Sequence, residues 1–294
     1  AERVRMAFEE LGPTYIKLGQ ILSTRPDLVP AEFTRELTKL QDNVPHFGFA
    51  DVQRTIETET NSTLKELFAF FDETPLAAAS IGHVHRAERS DGEVVAVKVQ
   101  RPRSKKSIEV DLEIMLHLAM LMERNIEEMA LYRPVKIVEE FAKAIEKEID
   151  YTAEATSMER FARNFLDNPT VYIPKVFRDM TTERVITMEL VDGIKVSDID
   201  RLEDAGLDRK LITTRGADFC LKQIFIHGVF HADPHPGNIF VLPDNVICLL
   251  DFGMTSSVDR PTREDFVDFV DSVVNKNASR AAQVILKLTK EDDE

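Results

Sequence analysis

Cysteine is scarce in this sequence of 294 residues, where only Cys220 and Cys248 occur. They form no C-x-x-C pair, and this usage suits a reducing compartment or simple burial. Long apolar runs are missing as well. Residues 112–122 form an apolar helical stretch that His117 interrupts. The stretch falls far short of the about 20 residues that a membrane-spanning helix needs.

Basic charge is in short supply too. The sequence has 37 Lys and Arg against 52 Asp and Glu, a formal net charge of -15. Because nucleic-acid binding depends on neutralising phosphates with Lys and Arg, this balance argues against a nucleic-acid partner. No secretory signal peptide is recognisable. The hydrophobic content of 43% is enough for a sizeable core.

Polar residues with a distinctive spacing lie towards the end of the chain. His231-Ala232-Asp233 is followed, after four residues, by Asn238 and later by Asp251-Phe252-Gly253. Kinases space their H-x-D-x-x-x-x-N loop and D-F-G segment in this way, and there the first Asp faces the acceptor while Asn and the second Asp hold magnesium. We predict a catalytic role for Asp233 and Mg2+ binding by Asn238 and Asp251. The alternative is that these residues are only caps and turn formers.

The segment between Asn238 and Asp251 supports the kinase-like interpretation. Residues 239–242 and 246–250 are short apolar runs, and Pro243-Asp244-Asn245 between them has turn chemistry. This pattern predicts a β-hairpin. Such a hairpin brings Asn238 and Asp251 to the same end, which a set of unrelated caps does not explain.

A valine-rich strand with a single lysine lies further upstream. In residues 93–99, Val95-Ala96-Val97-Lys98 stands where kinases carry Val-Ala-Ile-Lys. A lysine there presents a compact cation to the α and β phosphates of a nucleotide. A charged strand residue often just faces solvent. The neighbours of Lys98 are too apolar for that, so we expect burial against a phosphate or a carboxylate.

Glycine is missing where a phosphate-binding loop normally has it. Between predicted strands at 75–80 and 83–89, Gly82 is the single glycine of the loop. Glycine allows unusual φ angles and lets backbone N–H groups approach phosphates, and alanine gives up both freedoms. The residues predicted to contact the nucleotide here are Ala77, Ala78, Ala79 and Ser80.

Together these features resemble the UbiB-type, or aarF-domain, family of atypical protein-kinase-like proteins, over nearly the entire chain. The family has a K-x-G-Q segment ahead of the kinase domain, an alanine-rich loop, an E-x-D helix motif and a catalytic stretch similar to His-Ala-Asp-Pro-His-Pro-Gly-Asn. The matching segments are Lys17-Leu18-Gly19-Gln20, Ala77-Ala78-Ala79-Ser80, Glu148-Ile149-Asp150 and residues 231–238. His83 is a local departure, because the family commonly has Gln there.

The resemblance implies an α+β, bilobal protein-kinase-like fold with an N-terminal helical extension packed over the active site. The predicted domains are the extension with its K-x-G-Q motif at residues 1–72, a kinase-like N-lobe with inserted helices at 73–190, and a kinase-like C-lobe at 191–294. Within the extension, the sequence predicts helices at 11–23 and 31–41. Thr63 and Glu66 predict a capping box for a helix that continues through Phe70.

One long helix is predicted over residues 135–165 from its periodic apolar residues. On a continuous helix Asp150 and Glu154 share a face, whereas Glu148 lies about 120° from Glu154. By resemblance, Glu154 forms an ion pair with Lys98, while Glu148 and Asp150 turn towards the K-x-G-Q segment or the metal ion. The alternative is an exposed, charged helix surface.

The predicted chemistry is slow. By resemblance, Lys17, Gly19 and Gln20 are regulatory, because their segment lies in space that a protein substrate needs. Ala232 stands where regulated kinases have an Arg, and no Ala-Pro-Glu follows the D-F-G segment. We predict binding of ATP or ADP with Mg2+ and slow phosphoryl transfer or hydrolysis, without phosphorylation of proteins. The alternative is a pseudokinase that binds nucleotide as a switch or scaffold without turnover.

The adenine site is predicted where a kinase chain links its two lobes. Residues 173–178 and 184–190 read as strands around a turn. Backbone groups of Glu189 and Val191 then bind adenine, with Met188 packed behind it or simply part of the core.

Three histidines offer a competing interpretation. His227, His231 and His235 recur at helical spacing, a pattern seen in zinc sites. Proline at 234 and 236 breaks any helix there, so we favour the kinase-type loop over a zinc site.

The resemblance also implies partners and location. Family members associate with membranes and support biosynthesis of ubiquinone and related prenylquinones. The expected partners are quinone precursor lipids, a membrane surface and other quinone-biosynthesis proteins, with a peripheral position on the cytoplasmic side of a membrane, mitochondrial or plastid in a eukaryote. Residues 112–122 either lie on that surface or pack against the N-terminal helices. We favour packing, because Met-rich helical stripes are more often core.

Overall fold

The computed structural model describes residues 1–41, 47–78, 81–102, 104–127, 132–232 and 235–290. The chain divides into two compact units. The first comprises Ala1–Thr156 and Lys175–Leu190, and the second comprises Ser157–Pro174 and Val191–Glu294. The predicted domain limits at 72 and 190 stay a prediction. The two units differ from the predicted domains, because residues 1–72 belong to the same unit as most of the predicted N-lobe and residues 157–174 belong to the second unit.

Both units contain helices and strands, in agreement with the predicted α+β class. The helices are α1 (Glu2–Leu11), α2 (Pro13–Ser23), α3 (Ala31–Leu37), α4 (Phe49–Thr60), α5 (Leu64–Leu67), α6 (Ser104–Asn125), α7 (Pro134–Glu148), α8 (Tyr151–Asn164), α9 (Ile199–Asp204), α10 (Arg209–Lys222), α11 (Arg260–Val274) and α12 (Ala278–Lys290). The strands are β1 (Phe68–Phe71), β2 (Ala77–Ala78), β3 (Gly82–Arg89), β4 (Val94–Gln100), β5 (Val171–Tyr172), β6 (Val185–Glu189), β7 (Ile194–Lys195), β8 (Val229–His231), β9 (Ile239–Leu242), β10 (Val246–Leu249) and β11 (Thr255–Ser257).

An antiparallel sheet forms the centre of the first unit. Its strand order is β1-β3-β4-β6, and β2 pairs with β3. The predicted strand at 93–99 is present as β4, and its Val95, Val97 and Val99 are buried in one cluster with Val52 and Ile56 of α4. Branched side chains fit a central strand that is covered on its faces. Lys98 therefore sits in the middle of the sheet, opposite Val84 of β3 and Ile186 of β6.

The first helix predicted in the N-terminal extension has a different start in the structure. A helix starting at Leu11 is wrong, because Leu11 ends α1 and a new helix starts at Pro13. Gly12 between them has φ of 103°, a conformation that glycine adopts readily, and proline is favoured at a first helical position. The predicted helix at 31–41 is present as α3 followed by a 3-10 turn, Thr38–Gln41.

The capping box of Thr63 and Glu66 is confirmed, but the helix that it begins is short. Both hydrogen bonds of the box are present at the start of α5. The predicted continuation through Phe70 is wrong, because α5 ends at Leu67 and the next four residues form β1. Pairing of this phenylalanine-rich segment with β3 outweighs its helical pattern.

The predicted single helix at 135–165 is also wrong. It is interrupted at Ile149 and Asp150, between α7 and α8. Asp150 Oδ1 accepts hydrogen bonds from Thr152 N at 2.9 Å and from Thr152 Oγ1 at 2.6 Å. An aspartate that binds the backbone two residues ahead starts a helix better than it continues one. The angular relation expected between Glu148 and Glu154 therefore does not apply.

Helix α6 has two different apolar faces. Met115 is buried in a cluster with Phe141 and Ile145 of α7, against which Tyr15 and Leu18 of α2 also pack. Packing against an N-terminal helix, as predicted for residues 112–122, is thus present on this face. The exposed apolar residues of α6 are Val110, Ile114, Leu118, Met120, Leu121 and Met122. Among the described helices, none combines the length and the apolar character needed to cross a membrane.

The second unit contains the predicted hairpin. Strands β9 and β10 pair antiparallel, with Leu249 opposite Ile239, and Pro243–Asn245 form the turn. They belong to a sheet of order β5-β10-β9-β7, and β8 pairs with β11. The hairpin prediction is confirmed because its turn chemistry and apolar runs are both local signals.

Candidate functional site

Lys98 and Glu154 form a buried ion pair in the first unit. The Lys98 Nζ atom lies 3.0 Å from each carboxylate oxygen of Glu154, and the two side chains are 9% and 1% exposed. The ion pair expected from the resemblance is therefore present. The ring of Tyr151, at the start of α8, lies 5.1 Å from the same ammonium group. Bidentate contact with a carboxylate and the face of an aromatic ring both favour the charged lysine in this dry environment.

A second buried ion pair joins the K-x-G-Q and E-x-D segments. Lys17 Nζ of α2 lies 2.7 Å from Glu148 Oε2 of α7, with side chains 9% and 11% exposed. Gln20 donates a hydrogen bond to the Leu40 carbonyl at 3.2 Å, inside the extension. Asp150 instead caps α8 through Thr152. Glu148 therefore contacts the K-x-G-Q segment, whereas the side-chain hydrogen bonds described for Asp150 lie at the start of α8.

The alanine-rich loop is described up to Ala78 and again from Ile81. Ala77 and Ala78 are exposed and pair with Val84 and His83 of β3. Ala79 and Ser80, also predicted to contact the nucleotide, lie outside the described residues. Contact of this loop with the phosphates of a nucleotide therefore stays a prediction.

Gly82 has a packing role that the sequence did not reveal. A Cβ atom at this position would overlap the Val99 carbonyl oxygen of β4 and lie 2.8 Å from the Tyr151 hydroxyl oxygen. The glycine lets the backbone of β3 approach both groups closely. The loop thus keeps its one glycine where β4 and Tyr151 leave no room for a side chain.

The predicted adenine-binding segment is partly formed as expected. Residues 184–190 contain β6, with buried Met188 opposite Ala96 of β4. The predicted strand at 173–178 is wrong, since this segment makes one bridge, between Val176 and Met188, before a 3-10 turn. Glu189 belongs to the first unit and Val191 to the second. Their backbone contacts with adenine stay a prediction.

His231 and Asp251 are tied together in the second unit. The Nε2–H of His231 donates to the Asp251 carbonyl oxygen, and Gly253 N donates to Asp251 Oδ1 at 2.9 Å. Leu250 N donates to the Asn238 carbonyl at 3.2 Å. The hairpin therefore brings Asn238 and Asp251 to the same end, as predicted. Asp233 lies outside the described residues.

The donor groups of Asn238 and Asp251 fit magnesium. Both side chains offer oxygen, which Mg2+ prefers, and Mg2+ commonly binds through one or two carboxylates with phosphate and water completing its shell. Within the described ranges, no cluster of at least three His, Cys, Asp or Glu has metal-binding geometry. A magnesium ion shared with a nucleotide needs no such cluster.

The three histidines at helical spacing have separate partners. The His227 ring packs 4.8 Å from that of Phe165, and His235 Nδ1 accepts a hydrogen bond from Gly237 N at 3.1 Å. His231 N donates to Gln223 Oε1 at 2.8 Å. Sequence reasoning missed Gln223, which is buried in a π-helical turn, Gln223–His227. Its one local signal is that a polar residue directly precedes the apolar run of residues 224–226.

Comparisons with known proteins agree on one family. The family model of the ABC1 atypical kinase-like domain matches residues 39–285. The chloroplastic protein ACTIVITY OF BC1 COMPLEX KINASE 7 of Arabidopsis thaliana is 41% identical over 98% of this chain and 41% of its own length. The probable protein kinase UbiB of Shewanella denitrificans is 40% identical over 98% of this chain and 53% of its own length. The chain thus spans about half the length of the curated relatives that it matches.

A solved structure is similar as well. Rv3197 from Mycobacterium tuberculosis, in complex with erythromycin, has a TM-score of 0.70 and 29% sequence identity to this chain. The match covers 92% of this chain and 68% of that one. The family match and the structural similarity thus both extend over most of this chain.

Proposed function

The chain belongs to the ABC1 atypical kinase-like family, which includes proteins named UbiB, and on this basis we propose that it binds ATP and ADP with Mg2+ and hydrolyses ATP slowly. The kinase-like fold and the resemblance inferred from the sequence are confirmed by the same match. The observation that carries the proposal is the buried Lys98–Glu154 ion pair. A lysine held by a carboxylate in the middle of a sheet is the arrangement with which kinases grip the α and β phosphates.

Each unit supplies groups with distinct proposed roles. In the first unit, Lys98 binds phosphate oxygens and Glu154 orients its ammonium group. Ala77 to Ser80 line the phosphates, and the backbone at Glu189 and Val191 holds adenine. In the second unit, Asp233 faces the attacking group, and Asn238 and Asp251 hold the metal ion. When bound, Mg2+ neutralises charge on the phosphates.

We propose that proteins are not the substrates. The Lys17–Glu148 ion pair supports this view, because it fastens α2 to the last residue of α7, three residues before Tyr151 begins α8. Lys17, Gly19, Gln20, Glu148 and Asp150 are accordingly assigned regulatory roles. A fastened extension slows the exchange of nucleotide and restricts the access of protein substrates. This favours slow hydrolysis of ATP or phosphoryl transfer to a small acceptor.

The family names support a role in quinone metabolism. We propose that the protein assists biosynthesis of ubiquinone or a related prenylquinone, with quinone precursor lipids, a membrane surface and other enzymes of that pathway as partners. A peripheral position at a membrane follows from this role. The chloroplastic relative makes a plastid one candidate compartment and UbiB proteins make the bacterial cytoplasmic face another.

Calorimetry and a hydrolysis assay test the proposed function. Wild-type protein should bind Mg-ATP and Mg-ADP and should release phosphate from ATP. The Lys98→Met variant should bind neither nucleotide, and the Asp251→Asn variant should not hydrolyse ATP. Lys105→Met, which changes an exposed lysine, is the matched control and should behave as wild type. Wild-type protein that binds neither nucleotide contradicts the proposal. Binding without hydrolysis favours the nucleotide switch instead, and robust transfer to generic protein substrates excludes the assigned substrate class.

The alanine-rich loop has its own test. Ala78→Gly should change the ratio of the ATP and ADP affinities, because glycine restores the backbone freedom that phosphate-binding loops use. The two affinities are measured by calorimetry with Mg2+ present. Unchanged affinities for both nucleotides would remove the loop from the phosphate site.

A further inference from the structure

Lys98 and Gln100 lie on the same face of β4. Side chains two residues apart on a strand point in the same direction, and both of these are buried. Lys98 reaches Glu154 within α8. Gln100 reaches the residues just before α8 and is 2% exposed. The strand that presents the phosphate-binding lysine therefore also holds the beginning of the helix that carries its partner.

The contacts of Gln100 converge on the joint between α7 and α8. Its Nε2 donates to the carbonyl oxygen of Ile149, the residue that follows α7, and lies 3.4 Å from the Glu183 carbonyl oxygen. Tyr151 N, at the start of α8, donates to that same Glu183 carbonyl at 3.0 Å. One amide group thus ties β4, the segment before β6 and the joint together.

The joint stands between the two buried ion pairs. Glu148, immediately before it, binds Lys17. Glu154 follows one helical turn after it and binds Lys98. A helix end leaves carbonyl groups without helical partners, and Gln100 supplies the donor for Ile149. Loss of that donor frees α8 to change direction at its first residue, where a small rotation displaces the Glu154 carboxylate.

We propose that Gln100 is a positioning residue of the nucleotide site, which holds the α7–α8 joint so that Glu154 stays paired with Lys98. This inference rests on the proposed function for its effect on nucleotide binding. The position of Lys98 relative to Glu154 is a separate property, which is measurable without nucleotide.

Competitive acylation of lysines, read by mass spectrometry, tests the positioning directly. In nucleotide-free Gln100→Met, which keeps an unbranched buried side chain but lacks the donor, acylation of Lys98 should rise by about tenfold, the size expected from one lost buried hydrogen bond. Thr187→Val is the matched control, because Thr187 lies on β6, the strand beside β4, and its Oγ1 donates a buried hydrogen bond to the Met180 carbonyl. It should leave Lys98 as protected as in wild type. Equal protection in Gln100→Met and wild type overturns the proposal.

A double-mutant cycle separates positioning from general damage. If Gln100 acts through Glu154, then Gln100→Met should weaken Mg-ADP binding in the wild-type background and have no further effect in Glu154→Gln. Additive losses overturn the proposal. If wild type binds no nucleotide, the proposed function fails while the acylation result still decides the role of Gln100.

Gln100→Glu covers the case in which Gln100→Met does not fold. The protonated acid can donate to Ile149, whereas the carboxylate repels the carbonyl groups. Relative to wild type at the same pH, Lys98 should be protected at acidic pH and more reactive at alkaline pH. If the ratio of Lys98 acylation in Gln100→Glu to that in wild type does not change with pH, the result counts against a hydrogen-bonding role for this side chain.

Discussion

Lys98 and Glu154 show how a single residue pair combines stability and function. Removing both charges from water is costly, and their attraction offsets this only when the geometry is good. Here the ammonium group is 3.0 Å from both carboxylate oxygens and faces the ring of Tyr151. In the proposed function, a nucleotide phosphate is a further partner for the same cation. The pair is thus prepared for an anion before one binds.

Lys98→Met should destabilise the folded chain by about 3 kcal/mol, because it leaves the Glu154 carboxylate buried without its cation. Urea unfolding of the nucleotide-free protein measures this loss. The double variant with Glu154→Gln should recover part of it, since no buried charge then remains. A double variant that is less stable than either single one contradicts the argument.

Gly82→Ala should also destabilise the fold, by about 1 to 3 kcal/mol, because the added methyl group meets the β4 backbone and the Tyr151 hydroxyl. Ala78→Gly, at an exposed position of the same loop, should change the unfolding free energy much less. Thermal unfolding compares the two. A Gly82→Ala protein as stable as wild type shows that β3 moves away without cost.

At the scale of elements, a buried histidine lies where α4 packs on the sheet. The His85 ring of β3 lies 6.3 Å from the ring of Phe49 in α4 and 5.3 Å from that of Phe71 in β1. Its Nδ1–H donates to the Asp72 carbonyl at 2.8 Å. Burial lowers the pKa of His85, and the Asp72 carbonyl opposes this only in part. The neighbouring titratable ring is that of His83, 5.9 Å away.

This packing should weaken in acid. A folded-state pKa below the unfolded value of 6.5 means that the unfolded chain binds more protons, so stability rises with pH. The contribution of His85 to the free energy of unfolding is fully present above the unfolded-state pKa of 6.5. It is lost as pH falls through the lower folded-state pKa. Urea midpoints measured at several pH values should therefore fall in mildly acidic buffer, and less so in His85→Phe. Equal slopes for both proteins exclude His85 as the cause.

Several element boundaries needed the structure. Gly12 and Pro13 separate two helices, and Asp150 starts a new one, although the apolar period runs across both positions. The hairpin β9–β10 needed no such help, because proline, aspartate and asparagine fix its turn locally. Periodicity reports which face is apolar but does not count helices. Glycine, proline and aspartate at a boundary are the better signals.

At the scale of the whole molecule, the chain consists of two units and carries a net charge of -15. For the proposed nucleotide binding, the phosphate groups need local cations such as Lys98 and a metal ion, because the molecule as a whole is negatively charged. This requirement makes the proposed nucleotide binding strongly dependent on Mg2+.

Removal of Mg2+ should accordingly abolish most of the stabilisation by ATP. A ligand that binds the native state alone raises the unfolding temperature with its concentration, so excess EDTA should return the ATP-bound protein close to the nucleotide-free value. Asp251→Asn should show little response to ATP with or without EDTA. An ATP effect in wild type that survives EDTA unchanged contradicts a metal-dependent site at Asn238 and Asp251.

The sequence by itself determined the family, the strand with Lys98 and the hairpin between Asn238 and Asp251, because these depend on residue order and local conformation. The resemblance implied the pairing of Lys98 with Glu154, and the tertiary structure showed its geometry across 56 residues. Only the tertiary structure showed that Gln100 donates to the Ile149 carbonyl before α8 and that Val99 and Tyr151 leave no room for a side chain at Gly82. These features arise where strands and helices distant along the chain pack together, and local pattern contains no record of such contacts.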